Sequence, residues 1–172
     1  MNRHAPRGPA PDPAAARYLL IGLLIGTVLG GAAGFFAYPY MAAPVAADTP
    51  LAGRQGGAPR AGGHFTQADP ADRIHYGSGA VAVFDDRVEL AEDFAVGPGP
   101  KYHLYLVPQR GIDQDTRVEE TMFIDLGPLK SFTGAQVYAI PAGVAVGDYG
   151  SVVVWCEQFN TLISAAELPT PQ

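Results

Sequence analysis

The distribution of apolar residues divides the chain into one continuous apolar block and a region of short runs. Residues 18–41 are apolar and carry no charge. Across 64–168, short runs of β-branched and aromatic residues are separated by Gly, Pro and Asp, which is typical of strands joined by turns. The pattern predicts one long helix followed by an all-β domain.

The apolar block is long enough to cross a membrane. Its 24 residues, at about 1.5 Å of rise per helical residue, exceed the roughly 30 Å hydrocarbon core of a bilayer. A signal peptide is the alternative, because basic residues precede the block and the small residues Val45, Ala46 and Ala47 follow it. The length of the block and its bulky end, with Tyr38 and Tyr40, favour an uncleaved transmembrane anchor.

The distribution of charge predicts the orientation of this anchor. Residues 1–17 carry three arginines against one aspartate, whereas residues 48–172 carry eight basic and 16 acidic residues. Short basic flanks stay in the cytoplasm, so we expect a single-pass protein of the inner (cytoplasmic) membrane, with its N-terminus inside and its main domain periplasmic or extracellular. An acidic body also excludes nucleic acid as a partner, because phosphate binding needs clustered Lys and Arg.

Regularly spaced glycines predict that the anchor packs against a second copy of itself. Gly22, Gly26, Gly30 and Gly34 recur every four residues, so in a helix they form one smooth face that another backbone can approach closely. This spacing predicts a homodimer. The simpler interpretation is that Gly and Ala are frequent in membrane helices.

The segment after the anchor is rich in Ala, Pro and Gly. Residues 42–62 have few apolar side chains of the kind that offset the entropy of ordering. We therefore expect a cytoplasmic tail at 1–17, the anchor at 18–41, a flexible linker at 42–62, a β domain at 63–168 and a short tail at 169–172.

Seven runs in the β region are predicted strands, and about this number with regular turn signals indicates a β-sandwich or a small barrel. These runs are 74–84, 87–90, 101–107, 121–126, 136–140, 151–159 and 160–168.

Within 101–107, the side chains alternate between two faces. Tyr102, Leu104 and Leu106 make an apolar face that we expect to be buried, and His103 and Tyr105 lie on the opposite, more polar face.

Five motifs in the β region resemble, in their order and spacing, the DM-thirteen domain, a family named as a possible electron-transfer module. They are His75-Tyr-Gly-Ser-Gly-Ala-Val-Ala-Val83, Phe94-Ala-Val-Gly-Pro-Gly-Pro-Lys-Tyr-His-Leu-Tyr-Leu106, Leu126-Gly-Pro-Leu-Lys130, Gly134-Ala-Gln-Val-Tyr138 and Trp155-Cys-Glu-Gln-Phe159.

The resemblance implies a membrane-anchored, bacterial-type member with a β-rich domain outside the cytoplasm. It also implies that the family's characteristic cysteine, Cys156 in this chain, acts in redox chemistry as a free thiol or as a ligand to a prosthetic group such as haem. Any redox partner is then expected to be another protein.

The residues themselves leave the role of Cys156 open. It is the one cysteine of the chain, so it serves packing, an intermolecular crosslink or chemistry. Alternation puts it on one strand face with Val152 and Val154, and either face could point inward. A sulfur that faces the core is a hydrophobe with a raised pKa, and the neighbouring Glu157 disfavours the thiolate.

Other chemistry has less support in the sequence. His75 is a second candidate cofactor-binding residue, although hydrogen bonding near the bend that follows it is the simpler interpretation. His103 is interpreted as a solvated surface residue, and no metal site is predicted. The chain has no Cys-x-x-Cys-His for covalent haem and no hydrolase or phosphate-loop motif, so we expect no independent catalytic activity.

Two hypotheses follow from these observations. The first is an extracytoplasmic redox or electron-transfer module that acts through Cys156 with a partner protein. The alternative is a non-catalytic cell-envelope interaction domain in which Cys156 is a core residue and four aromatic side chains serve packing or recognition. These aromatic residues are Tyr102, Tyr105, Tyr138 and Trp155.

Overall fold

The structure, a computed structural model, describes residues 13–41, 57–69 and 71–169, with helix side chains described as far as residue 38. The chain divides into two compact units, which are the N-terminal helix and the β domain. Most of the predicted cytoplasmic tail, most of the predicted linker and the small residues Val45, Ala46 and Ala47 lie outside the described residues.

The first unit is a single helix, α1, at Pro13–Met41. It begins five residues before the predicted start, because proline is well suited to the first helical turn and three alanines follow it. Its segment Pro13–Tyr38 is long and apolar enough to cross a membrane, with a mean hydropathy of 2.1. A signal sequence near the N-terminus would have the same character.

The second unit is mostly β, as the sequence predicts. Within the described residues it contains ten strands and two short 3₁₀ helices, the latter at Val118–Glu120 and Val146–Asp148. The strands are β1 Ala61–Gln67, β2 Gly77–Ser78, β3 Ala80–Val83, β4 Arg87–Leu90, β5 Ala95–Val96, β6 Tyr102–Val107, β7 Ile124–Pro128, β8 Gln136–Ala139, β9 Ser151–Cys156 and β10 Thr161–Glu167.

Eight of the described strands form one antiparallel sheet in the order β7-β6-β9-β10-β1-β3-β4-β8, and β2 pairs with β5 beside it. The sheet curls into a nearly closed barrel, because the connection between β7 and β8 joins its two edges. In this connection the backbone N–H of Lys130 lies 2.9 Å from the Tyr138 hydroxyl oxygen. Of the two architectures that the sequence left open, the structure has the barrel.

The barrel has an interior core and a second apolar cluster outside β6 and β9. The predicted buried face, Tyr102, Leu104 and Leu106, lies in the interior core. The opposite face is not simply polar, because Tyr105 packs with Trp155 and other residues in the outer cluster. The segment around the 3₁₀ helix Val118–Glu120 contributes side chains to this outer cluster.

Several strand boundaries differ from the prediction. The predicted strand 74–84 breaks at Gly79, where φ is +107° and a Cβ would lie 2.4 Å from the Phe94 Cα. The strand predicted at 121–126 lies at Ile124–Pro128, and the one predicted at 151–159 ends at Cys156 before a turn. The strand β1 begins inside the segment assigned to the linker.

Candidate functional site

Cys156 is the last residue of β9, at one end of the barrel. It pairs with Tyr102 on β6 and with Thr161 on β10. Its side chain points into the interior core and is only 1% exposed. The thiol donates a hydrogen bond to the backbone oxygen of Pro100, 3.2 Å away. Of the two orientations that the sequence left open, the sulfur therefore has the inward one.

The surroundings of Cys156 favour the protonated thiol. Burial raises the pKa of the thiol, and the charge of Glu157 raises it further. Backbone N–H groups of Phe159 and Gln158 face the sulfur and lower the pKa, but the net direction is upward. Since the thiolate is the nucleophile and the metal ligand, this conformation holds Cys156 in its less reactive form.

The residues around Cys156 do not fit haem ligation. The thiol is enclosed in a packed core and bonded to the Pro100 carbonyl, so it has no open face on which a planar macrocycle could bind. Ligation would also need the thiolate, which burial disfavours.

His75 lies in a separate surface cleft. Its Nδ1 is 2.6 Å from Asp72 Oδ2. The His75 side chain and the N–H groups of Ile74 and His75 stabilise this carboxylate and lower the pKa of Asp72 to about 2. Asp69 and Thr161 are among the residues that line the cleft, and Cys156 is not among them. The two candidate cofactor-binding residues thus do not share this cleft.

A polar network that the sequence did not predict lies on the outer face beside Cys156. Glu157 follows Cys156 but points outward, and its Oε1 accepts a hydrogen bond of 3.1 Å from the Tyr105 hydroxyl. His103 Nε2 is 3.5 Å from Glu157 Oε2, and His103 Nδ1 is 3.1 Å from each Asp125 carboxylate oxygen. Lys101 Nζ is 3.9 Å from Glu157 Oε2.

Three members of this network could hold a metal ion. One ligand atom from each of His103, Asp125 and Glu157 lies within 4.8 Å of the other two, and one imidazole with two carboxylates suits a divalent cation. The two imidazole nitrogens face different carboxylates, so in this arrangement His103 bridges the two acids. The interpretation of His103 as a solvated surface residue was wrong, because β7 and the turn after β9 partly cover it.

Comparison with known families assigns the β domain. Residues 71–168, more than half of the chain, match the family described as electron transfer DM13. The chain belongs to the electron transfer DM13 family. Neither the curated proteins nor the solved structures gave a match. The DM13 match begins after β1 and covers the remaining strands of the domain.

One of the segments that resemble the family explains how the barrel edge closes. In Gly134-Ala-Gln-Val-Tyr138, the Gln136 side chain is fully buried. Its Oε1 accepts hydrogen bonds from the Lys130 N–H and the Ser131 N–H, both at 3.1 Å, and from the Tyr138 hydroxyl at 2.8 Å. This segment therefore has a structural role, because it satisfies buried polar groups at the β7–β8 connection.

A second segment that resembles the family, Trp155-Cys-Glu-Gln-Phe159, links the environment of Cys156 to the outer polar network. Its first residue packs in the outer cluster and its cysteine in the interior core. Its glutamate joins the outer polar network, and its last two backbone amides face the sulfur. The DM13 domain thus has a buried thiol and a polar relay on adjacent residues.

Proposed function

We propose that this chain is a membrane-anchored electron-transfer module whose DM13 domain lies outside the cytoplasm. In this proposal Cys156 is the redox thiol, and a redox protein partner exchanges electrons with it. The observation that carries the proposal is the DM13 match across most of the β domain.

The helix α1 supports the proposed location. Its apolar segment has the length of a membrane span. The basic N-terminal flank favours the orientation with that flank in the cytoplasm, and the acidic body is then on the opposite side. The glycine face of α1 supports a homodimer in the membrane as a further part of the proposal. This face consists of Gly22, Gly26, Gly30 and Gly34.

The position of Cys156 defines what a redox step requires. The chain has no second cysteine, so a disulfide must form with a sulfur of the partner. The Cys156 thiolate would form an S–S bond with one sulfur of a partner disulfide. The partner's own S–S bond would break, and the proton from the thiol would go to the departing sulfur. Since the thiol is buried, the exposed turn at 157–160 has to open first.

A second candidate function is a non-catalytic cell-envelope interaction domain. The burial of Cys156 and its bond to Pro100 favour this alternative, since both are typical of a packed thiol. The four aromatic residues proposed for packing or recognition are buried, which supports packing. They are Tyr102, Tyr105, Tyr138 and Trp155.

Native-state thiol exchange separates these candidates. The full chain, in detergent micelles, is treated with dithiobis(nitrobenzoate) at increasing urea concentrations below the unfolding transition. If the turn opens locally, Cys156 reacts at a rate that depends little on urea, because local opening exposes little surface. Cys156→Ser serves as the blank. If the reaction rate instead rises with urea as steeply as the equilibrium constant for global unfolding does, the redox function is rejected and the interaction domain is favoured.

A further inference from the structure

Four side chains on the outer face form a continuous relay, which we call the Tyr105 relay. It runs from the Tyr105 hydroxyl to Glu157 at 3.1 Å, from Glu157 to His103 at 3.5 Å, and from His103 to Asp125 at 3.1 Å. Two links have hydrogen-bond distances, and the middle link is slightly longer. The relay residues come from β6, from β7 and from the turn after β9, so the barrel fold assembles them.

The Tyr105 relay joins a buried phenol to carboxylates that contact solvent. Tyr105 is 4% exposed, and its ring stacks on Phe123 with 4.4 Å between the centroids. Among the other members, the Glu157 side chain is 32% exposed, His103 is 17% exposed and Asp125 is 41% exposed. A proton that leaves the buried phenol therefore passes to a carboxylate, Glu157, that is itself in contact with solvent.

We propose that Tyr105 is a one-electron redox site of this DM13 domain, with Glu157 as the acceptor of its proton. The proposal rests on the proposed electron-transfer function and adds a second redox group to it. A phenol that loses an electron becomes strongly acidic, so oxidation is easier when a base is already hydrogen-bonded to it. The Glu157 carboxylate lies within the reach that proton transfer requires.

The step balances with one external reactant. One electron passes from the Tyr105 ring to a high-potential one-electron acceptor, such as an oxidised metal centre of another protein. The Tyr105 O–H bond breaks, and its proton bonds to Glu157 Oε1. The products are a neutral tyrosyl radical, a neutral carboxylic acid and the reduced acceptor. Return of the electron and the proton restores the starting state.

The electrostatic surroundings support this assignment. Burial, the hydrogen bond to Glu157, and the charges of Glu157 and Asp125 raise the pKa of Tyr105. The resting phenol donates the 3.1 Å hydrogen bond to Glu157, so that proton can move to the carboxylate when an electron leaves the ring. Lys101 also faces Glu157, with its Nζ 3.9 Å from Glu157 Oε2. Its side chain is exposed, so solvent and salt screen its attraction for the Glu157 carboxylate.

Tyr138 provides a matched comparison within the same domain. It is 3% exposed, much like Tyr105. Its hydroxyl donates to the amide oxygen of Gln136 at 2.8 Å, and an amide is a far weaker base than a carboxylate. Lys130 Nζ lies 5.1 Å from the centroid of the Tyr138 ring, and this positive charge opposes loss of an electron. Tyr138 should therefore be the harder of the two to oxidise.

The test uses the full chain in detergent micelles and photogenerated tris(bipyridine)ruthenium(III) as the one-electron oxidant. Formation of the tyrosyl radical is followed by transient absorption and by electron paramagnetic resonance. We expect a fast phase in the wild type that is lost in Tyr105→Phe and kept in Tyr138→Phe. In Glu157→Gln the fast phase should slow by about 10²-fold, the lower end of the contribution of a positioned base.

Two results would overturn the assignment. They are a fast phase of unchanged amplitude in Tyr105→Phe, and an unchanged rate in Glu157→Gln, with circular dichroism used to verify that each variant is folded. Because the oxidant is artificial, the test does not depend on Cys156 or on the natural partner. If the thiol-exchange test rejects Cys156 as the redox thiol but the fast phase is present, the proposed function alone is rejected. If Cys156 passes that test but the fast phase does not depend on Tyr105, the Tyr105 site alone is rejected.

Discussion

At the scale of single residues, Cys156 and Glu157 are neighbours with opposite environments. The cysteine points into the barrel core, where burial keeps it protonated. The glutamate points outward and joins Tyr105 to His103. Because the side chains of a strand alternate between the two faces of a sheet, adjacent residues can lie inside and outside the barrel. A single motif therefore supplies both a thiol and a proton acceptor.

A residue-scale prediction concerns the acid stability of the domain. The pKa of Asp72 is lowered from 3.8 to about 2 by His75 and by two backbone N–H groups. A lowered pKa in the folded state means that the ionised carboxylate adds stability above pH 3.8, and that this contribution disappears as the pH falls through about 2. We expect Asp72→Asn to lower the urea midpoint at pH 5, and we expect this difference from the wild type to be much smaller at pH 2.

The control is Asp115→Asn, at an exposed aspartate. Its urea midpoint should follow that of the wild type at both pH values. An Asp72→Asn variant that matched the wild type at pH 5, or that was destabilised as much at pH 2 as at pH 5, would contradict this account of the Asp72–His75 pair.

At the scale of elements, the sequence identified the strands that are rich in β-branched and aromatic residues. The positions of β4, β6, β8, β9 and β10 were close to the prediction, because their periodicity is set locally. The strand β1 was missed, since Ala61-Gly-Gly-His-Phe65 has few apolar residues. Its strand conformation depends on pairing with β3 and β10, which the sequence does not reveal.

The candidate site, too, depends on strand pairing that the sequence does not reveal. The inward or outward direction of Cys156 depends on which sheet face is covered, and alternation alone could not decide it. The Tyr105 relay needs β6, β7 and the turn after β9 side by side. His103 and Tyr105 could be assigned to one face from the sequence. Their acidic partners are far along the chain, so the relay could not be predicted from local patterns.

An element-scale prediction tests the pairing of β1. A Cβ on Gly63 would lie 2.4 Å from the Glu167 backbone oxygen. Gly63→Ala should force β1 away from β10 and reduce the free energy of unfolding by about 1–3 kcal/mol, as overpacking does. The measurement is urea unfolding followed by the fluorescence of the single tryptophan, Trp155.

Gly147→Ala is the control for this substitution. A Cβ at Gly147 meets nothing within 4 Å, so its stability should stay within about 0.5 kcal/mol of the wild type. Equal stability of Gly63→Ala and the wild type would show that β1 does not pack against β10 as closely as described.

At the scale of the whole molecule, the chain combines an apolar helix with an acidic β domain. The proposed anchor predicts that the chain isolated from membranes keeps its N-terminal segment. Intact-mass spectrometry of the purified protein measures this directly. A mass that corresponds to loss of the residues up to Ala47 would instead identify α1 as a cleaved signal sequence.

The glycine face of α1 predicts a dimer in the membrane. Replacing Gly26 by Leu adds a branched side chain at the closest approach of two helices, so the variant should lose crosslinked dimer in detergent micelles. Leu24→Ala, which changes size away from the glycine face, is the control and should retain it. Equal crosslinking of the Gly26→Leu variant and the wild type would reject this dimer.

The most direct test of the electron-transfer account is the redox state of Cys156 in living cells. Cells that express the chain are quenched in acid under reducing or oxidising growth conditions, and free thiols are then labelled with a mass-tagged maleimide in denaturant. We predict that part of Cys156 is blocked from labelling, in a disulfide with a partner protein, and that this fraction changes with the growth condition. A Cys156 thiol that is fully labelled under every condition would contradict the account.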